Sequence, residues 1–141
     1  YIDKLILISK LIDGNFPDYT RVIPKNNNND LMINRENLLS AVDRVSTIAN
    51  EKSPSIKFKL LENLINLSSV NSENSTATED IDAKYNGHEI EIGFNSRYVM
   101  DILDNLEGED IKISFNDSSN PIIIQEKIES DNVYVLMPMR V

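Results

Sequence analysis

Residues 89–108 read EIEIGFNSRYVMDILDNLEG and contain a strand, a helix cap and a helix in succession. Apolar and polar residues alternate from 89 to 94, which is typical of a strand with one buried face. Asn95 follows, and asparagine is a residue type that accepts a hydrogen bond from the first turn of a helix. Apolar residues then recur at helical spacing up to Gly108, a common residue after a helix end. These apolar positions are Tyr98, Val99, Ile102, Leu103 and Leu106.

The same order of elements occurs earlier in the chain. A short apolar strand at 31–33 precedes Asn34, and helical spacing then extends from Arg35 to about Asn50. Three predicted strands follow each helix, at 56–61, 64–70 and 76–85 and again at 111–115, 121–125 and 132–137. The repeat predicts a pseudo-symmetric α+β domain of two βαβββ units, with two helices on one side of antiparallel sheets.

The first 28 residues differ in character from the repeat. Residues 1–11 alternate as a strand, and the segment 13–19 is rich in turn formers. The asparagine run at 26–30 has no side chains that pack well and is typical of a linker. We expect residues 1–28 to belong to a preceding domain and residues 29–141 to form the domain that contains the repeat.

Composition narrows the functional classes. The chain has 141 residues, no cysteine and a net charge of −9. The lack of cysteine excludes disulfides and thiolate catalysis, and the charge disfavours an isolated domain that binds phosphates. Basic residues concentrate in the first 60 residues, however, so the domain can have one basic surface although its net charge is negative. No apolar run has the length of a membrane span, and we expect a soluble, intracellular protein.

The last nine residues, 133–141, stay apolar almost to the end. Met137 and Met139 flank Pro138, and Arg140 precedes the final residue. Methionine is flexible and polarizable, which suits a surface that accepts several related partners. The segment is therefore a candidate contact surface, and the alternative is that its methionines only fill gaps in the core.

Residues suited to catalysis are sparse. His88 is the single histidine and has no nucleophile or metal ligand beside it in the sequence. Glu107, Glu109 and Asp110 lack the ligand spacing and the glycine of a calcium loop, and a charged helix exit accounts for them. Phosphate-binding loops and hydrolase motifs are missing as well. We expect no catalytic residue, no metal site and no cofactor.

Five segments carry a family pattern, and four of them fall in the family order at near-family spacing: LIDGNFPDYTRV at 11–22, NEK at 50–52, YNG at 85–87, EIGFNSRYV at 91–99 and YVLMPMRV at 134–141. Together they resemble the C-terminal third of the bacterial DNA polymerase III beta subunit, the replication sliding clamp family. The resemblance implies the DNA-clamp fold, with the last strand and connection of the second clamp domain at 1–28 and the third domain at 29–141. It also implies a longer protein that forms a head-to-tail homodimer around double-stranded DNA in the bacterial cytoplasm.

In this family a short linear motif of each partner binds in a groove between the second and third domains. The partners that the resemblance implies are DNA polymerase subunits, the clamp loader and repair proteins. The matching peptide-binding positions are Pro17, Arg21, Val22, Ser53, Asn95, Tyr98, Ser119, Pro121, Val135, Leu136, Met137, Pro138, Met139 and Arg140. Some relatives carry larger apolar residues in place of the two serines, so the pocket rim is expected to be shallower here.

Two further sets of positions follow from the resemblance. Thr47 and Ile48 match positions that pack against the first domain of the other protomer. The basic residues of the helices' polar faces, Arg35, Arg44 and Arg97, are the candidates for sequence-independent contact with DNA phosphates.

Ordinary structural explanations exist for these positions. Tyr98 and Ile48 are also suited to a core, Pro17 to a turn, and each arginine to a solvated face. For the whole chain, the alternative function is a free-standing acidic protein-interaction module of clamp-like fold that does not encircle DNA.

Overall fold

The computed structural model describes residues 8–11, 13–14, 18–50, 52–126 and 132–140. After a 3₁₀ turn at Tyr19–Arg21, the chain forms two βαβββ units. The first unit consists of β1 (Asn29–Asn34), α1 (Arg35–Ser46), β2 (Ser55–Leu61), β3 (Leu64–Val70) and β4 (Thr76–Asp82). The second unit consists of β5 (Ile90–Asn95), α2 (Ser96–Asp104), β6 (Asp110–Phe115), β7 (Ile122–Glu126) and β8 (Tyr134–Leu136).

Each unit places its first strand in the sheet of the other unit. One sheet has the order β1-β6-β7-β8 and the other β4-β3-β2-β5, and all neighbouring strands are antiparallel. Single bridges also join the two sheets, one between Met32 and Lys84 and one between Gly93 and Met139. In the second bridge the Met139 amide donates to the Gly93 carbonyl at 2.9 Å. The C-terminal segment is thereby held against β5, which leads directly into α2.

Both helices begin at the predicted asparagine caps. The Asn34 side chain accepts a hydrogen bond from the Asn37 amide at 3.0 Å. The Asn95 side chain accepts one from the Arg97 amide, also at 3.0 Å. Each cap satisfies an amide that has no partner within its own helix, so the strand-to-helix transition is fixed locally in both units.

One hydrophobic cluster connects both sheets and both helices. The buried stripe of α1 comprises Leu38, Ala41, Val42 and Val45. On α2 the largest buried residue is Leu103, and the helices contact each other. In the second sheet the rings of Phe58 and Phe94 meet edge to face, with centroids 5.2 Å apart. The predicted fold class, α+β with two βαβββ units, is confirmed.

The first helix is shorter than predicted. It ends at Ser46 rather than near Asn50, and Thr47 forms its C-cap. The hydroxyls of Ser46 and Thr47 both donate to the Asp43 carbonyl, at 3.2 and 3.1 Å. Such side-chain bonds compete with the helical hydrogen-bond ladder, which explains the early end.

The strand predicted at 1–11 is wrong for the residues that are described there. Residues 8–11 lie outside any strand, and Ile8 and Leu11 are 89% and 91% exposed. A strand needs a hydrogen-bonding neighbour, and no strand in the described ranges pairs with this segment. Residues 1–7 lie outside the described residues.

Candidate functional site

A groove lies between α2 and the C-terminal segment and has a volume of about 610 Å³. We call it the α2 groove. Its lining residues are Asn95, Tyr98, Asp101, Ile102, Val135, Leu136, Met137, Pro138 and Met139. Seven of these nine residues are predicted peptide-binding positions, so the structure brings half of the predicted set of fourteen to one place.

The helical repeat explains one wall of the α2 groove. Positions three and four apart lie on one face of a helix, and Asn95, Tyr98 and Ile102 follow this spacing. Asp101, three residues after Tyr98, lies on the same face. Sequence reasoning missed Asp101 and Ile102 as groove residues, although their spacing from Tyr98 is a signal that identifies them.

The C-terminal segment forms the other wall. β8 pairs with β7, and Leu136 is only 5% exposed, so it anchors the segment in the core. Met137, the next residue, is 62% exposed, and Tyr98 on the opposite wall is 59% exposed. Large apolar side chains exposed in one concave site are typical of a binding surface rather than of a core.

Polar groups in the α2 groove are few. The Asn95 oxygen accepts from the Arg97 amide, while its amino group makes no hydrogen bond within the described ranges. Pro138 has no amide hydrogen, so the segment offers no donor at that position to another strand. The groove is therefore an apolar site with a small number of hydrogen-bonding groups, which suits an apolar side chain flanked by polar ones.

The first unit contains a counterpart to the α2 groove with a different chemical character. A cavity of about 440 Å³ lies at the start of α1, beside the residues that follow β4. The helix caps and the single bridges of the two units correspond to each other. Counted from them, Asn37 lies at the position that corresponds to Tyr98, and Lys84 at the position that corresponds to Met139. The same backbone arrangement is therefore lined mostly by polar residues in the first unit and mostly by apolar residues in the second.

Another cavity, of about 560 Å³, shares the C-terminal residues Pro138 and Met139 with the α2 groove. Besides Pro138 and Met139, its lining residues are Lys57, Glu91, Gly93, Ser118, Ser119 and Arg140. The Lys57 ammonium pairs with the Glu91 carboxylate at 3.2 Å. Ser119 and Arg140, both predicted peptide-binding positions, therefore lie in this more polar cavity rather than in the α2 groove.

The loop that carries Ser119 is held by one carboxylate. The Asp117 side chain accepts hydrogen bonds from the amides of Ser119 and Asn120, at 2.8 and 3.0 Å. The bond from the Ser119 amide and those from the Asn120 and Asn116 side chains lower the pKa of Asp117. The loop thus stays ordered by charge-assisted hydrogen bonds at neutral pH.

Three predicted peptide-binding residues line a further, smaller cavity of about 260 Å³: Arg21, Val22 and Pro121. The segment before β1 is tied to the second unit here, since the Asn27 side chain donates to the Pro121 carbonyl at 3.0 Å. Ser53 is exposed and lines none of these cavities. Pro17 lies outside the described residues.

Arg35, predicted to face DNA from the polar side of its helix, is instead mostly buried between the two helices. Its side chain is only 17% exposed. The guanidinium donates to the carbonyls of Leu103 and Gly108, both at 3.2 Å, beside the C-terminal end of α2. Arg35 therefore links the two helices, because its guanidinium donates to one carbonyl in the last turn of α2 and to one in the segment that follows the helix.

The other two predicted DNA-facing arginines are more accessible. Arg97 is exposed on α2. Arg44 is 59% exposed at its side chain and forms two bonds with the Glu79 carboxylate on β4. The hydrogen bond from Arg44 lowers the pKa of Glu79, and the same bond raises that of Arg44.

The exposed helix surface as a whole is not basic. Against Arg44 and Arg97 it carries four carboxylates: Glu36, Asp43, Asp101 and Asp104. Among the predicted dimer-interface positions, Thr47 is exposed and Ile48 is half-buried, directly after α1.

Within the described ranges, no group of three histidine, cysteine, aspartate or glutamate side chains is placed to hold a metal ion. His88 contributes its main-chain carbonyl, which accepts from the Tyr85 hydroxyl at 2.7 Å. In the same part of the chain, no helix is both long and apolar enough to cross a membrane.

Comparisons with known proteins agree on one family. Residues 20–140 match a family model described as the DNA polymerase III beta subunit, C-terminal domain. The beta sliding clamp of Caulobacter vibrioides is 41% identical over 135 residues, which cover 96% of this chain and 36% of that protein. The beta sliding clamp of Escherichia coli is 37% identical over 140 residues, covering 99% of this chain and 38% of that protein.

Solved structures show the same relationship. A DNA polymerase sliding clamp from Pseudomonas aeruginosa has a TM-score of 0.92 at 36% identity, covering 94% of this chain and 36% of that one. A sliding clamp from Bartonella birtlesii, bound to griselimycin, has a TM-score of 0.91 at 41% identity, with the same coverage. The chain thus spans little more than a third of the length of these relatives.

Proposed function

Because this chain belongs to the DNA polymerase III beta subunit family, whose C-terminal domain it matches, we propose that it forms the peptide-binding part of a sliding clamp. The α2 groove receives a short linear motif from each partner protein. The partners are DNA polymerase subunits, the clamp loader and repair proteins, and the bound clamp acts as a processivity factor. The role is non-catalytic: it binds partners and changes no covalent bond.

The difference between the two related grooves carries this proposal. Pseudo-symmetry gives both units a concave site at the start of the helix, yet only the second unit lines it with Tyr98, Pro138 and Met139. Packing within the chain does not require Tyr98 or the neighbouring Met137 to be apolar, because both side chains stay largely exposed. A ligand with apolar side chains gives a reason for the difference, since burying such groups is favourable.

The full protein extends this arrangement. Residues 1–28 belong to the second clamp domain and residues 29–141 to the third, and a protomer with a further domain dimerises head to tail through Thr47 and Ile48. The ring encloses double-stranded DNA in the bacterial cytoplasm. Arg97 and Arg44 contact phosphates loosely, and the four nearby carboxylates keep the DNA affinity of this domain low, so that sliding is not hindered.

A fluorescence-polarisation titration tests the proposal. The probe is a labelled peptide with a glutamine and a Leu-Phe pair, compared with the same peptide carrying alanine at those positions. We expect saturable binding of the first peptide only. Met137→Ala is expected to weaken binding about tenfold, since an apolar side chain of this size contributes roughly 1.5 kcal/mol when it is buried on binding.

Val70→Ala is the matched control, because Val70 is 52% exposed at the end of β3 and lines none of the three cavities that contain predicted peptide-binding residues. Its binding curve is expected to overlay that of the unmodified chain. Equal affinity for both peptides, or an equal loss in both variants, would contradict the assignment of the groove.

A further inference from the structure

Among the nine described residues that line the α2 groove, Asp101 is the one with a charged side chain. It lies one helical turn beyond Tyr98, on the face of α2 that forms the wall. Its carboxylate makes no hydrogen bond or ion pair within the described ranges, and the Asn105 side chain donates to its main-chain carbonyl instead, at 2.7 Å. The carboxylate is therefore available at the rim of an apolar site.

We propose that Asp101 makes the α2 groove selective for partner segments that carry a lysine or arginine next to the inserted apolar residues. This inference rests on the proposed function of the groove and adds the charge of the ligand to it. An apolar side chain that enters between Tyr98 and Met137 brings the neighbouring residue of the peptide close to Asp101. A cation there replaces part of the water that the carboxylate loses, whereas an acidic residue meets a like charge in a partly dehydrated site.

The net charge of −9 attracts basic peptides to the whole surface, and that general effect must be separated from a local one. Asp104 allows the general effect of charge to be distinguished from the local effect of Asp101. It is exposed on α2, three residues after Asp101, and does not line the groove. Asp101→Asn and Asp104→Asn change the net charge by the same amount and keep a polar side chain of nearly equal size, so only the position differs.

The test uses the 141-residue chain and a labelled neutral peptide with the Leu-Phe pair. Companion peptides carry lysine or glutamate immediately before or immediately after that pair. In the unmodified chain we expect the lysine peptide to bind about three- to tenfold more tightly than the glutamate peptide at one of the two positions. Exposed ion pairs contribute up to about a fivefold change each, and attraction and repulsion act in the same direction.

Asp101→Asn is expected to reduce this lysine-to-glutamate preference about threefold or more, with the affinity for the neutral peptide unchanged within twofold. Asp104→Asn is expected to leave the preference within twofold. An equal reduction in both variants, or no reduction in either, would overturn the role of Asp101 while the proposed peptide site stands. Failure of the unmodified chain to bind the neutral peptide would instead refute the proposed function, and this inference with it.

Discussion

Arg35 is predicted to be a major contributor to the stability of this domain, through its link between the two helices. The guanidinium donates to the carbonyls of Leu103 and Gly108, and the side chain is 17% exposed. Arg35→Met keeps most of the aliphatic stem and removes every donor, so it isolates the hydrogen bonds from the packing.

The magnitude follows from these two bonds. Hydrogen bonds with a charged donor contribute about 1.5–3 kcal/mol each, and the lower value applies because both are 3.2 Å long. Two bonds give about 3 kcal/mol, from which about 1 kcal/mol is subtracted for the side-chain entropy that the variant regains. We expect Arg35→Met to lower the free energy of unfolding by about 2 kcal/mol, or the Tm by about 6 °C for a chain of this size.

Urea unfolding monitored by circular dichroism measures this change. Arg21→Met is the control, because the Arg21 side chain is 84% exposed and, among the described residues, forms only a surface pair with Asp18; we expect a change within about 0.5 kcal/mol. Arg35→Lys should lie between the two, since lysine keeps the charge without the planar fork of donors. A stability of Arg35→Met within 0.5 kcal/mol of the unmodified chain would refute the structural role assigned to Arg35.

Three further predictions concern single side chains. Ser96→Ala removes a buried hydroxyl that has no hydrogen-bond partner within the described ranges, so thermal unfolding should show unchanged or higher stability, by up to about 1 kcal/mol. The bond to Arg44 lowers the pKa of Glu79, so its stabilising effect is present above the unfolded-state pKa and is lost as the pH falls through the lower folded-state pKa. Urea unfolding at pH 7 and pH 3 should therefore show a larger loss on acidification for the unmodified chain than for Glu79→Gln. Gly87→Ala places a methyl group into the Tyr85 ring, which is 4% exposed, and should destabilise by about 1–3 kcal/mol; an unchanged Tm would contradict the packing around that ring.

The sequence predicts the elements of this fold well because the decisive signals are local. Asn34 and Asn95 cap the helices that follow them, and β2 and β3 form at the positions predicted for them. No local signal predicts that the first strand of each unit joins the sheet of the other unit. β1 pairs with β6 across more than 75 residues of chain, as in the pairing of Leu31 with Ile113, and alternation alone does not identify the partner of a strand.

The candidate site was predictable in part, for the same reason. Tyr98 and Asn95 share a helix face, and the C-terminal segment is unusually apolar. The sequence pattern and the family resemblance together therefore predicted both walls of the α2 groove. The division of the remaining positions among three cavities depends on how loops pack. Arg35 shows the limit most clearly, because its sequence position suggests a solvated helix start and only the tertiary fold brings the end of α2 to it.

The central claim is that the α2 groove, rather than its polar counterpart in the first unit, binds the partner peptide. Amide chemical-shift changes of the isotope-labelled chain, recorded by NMR as the Leu-Phe peptide is added, test it most directly because both grooves are observed in one experiment. The account predicts saturable shifts at Tyr98, Ile102 and Met137, with the amides of Asn37 and Lys84 unchanged. Shifts centred on Asn37 and Lys84, or spread equally over both grooves, would contradict it.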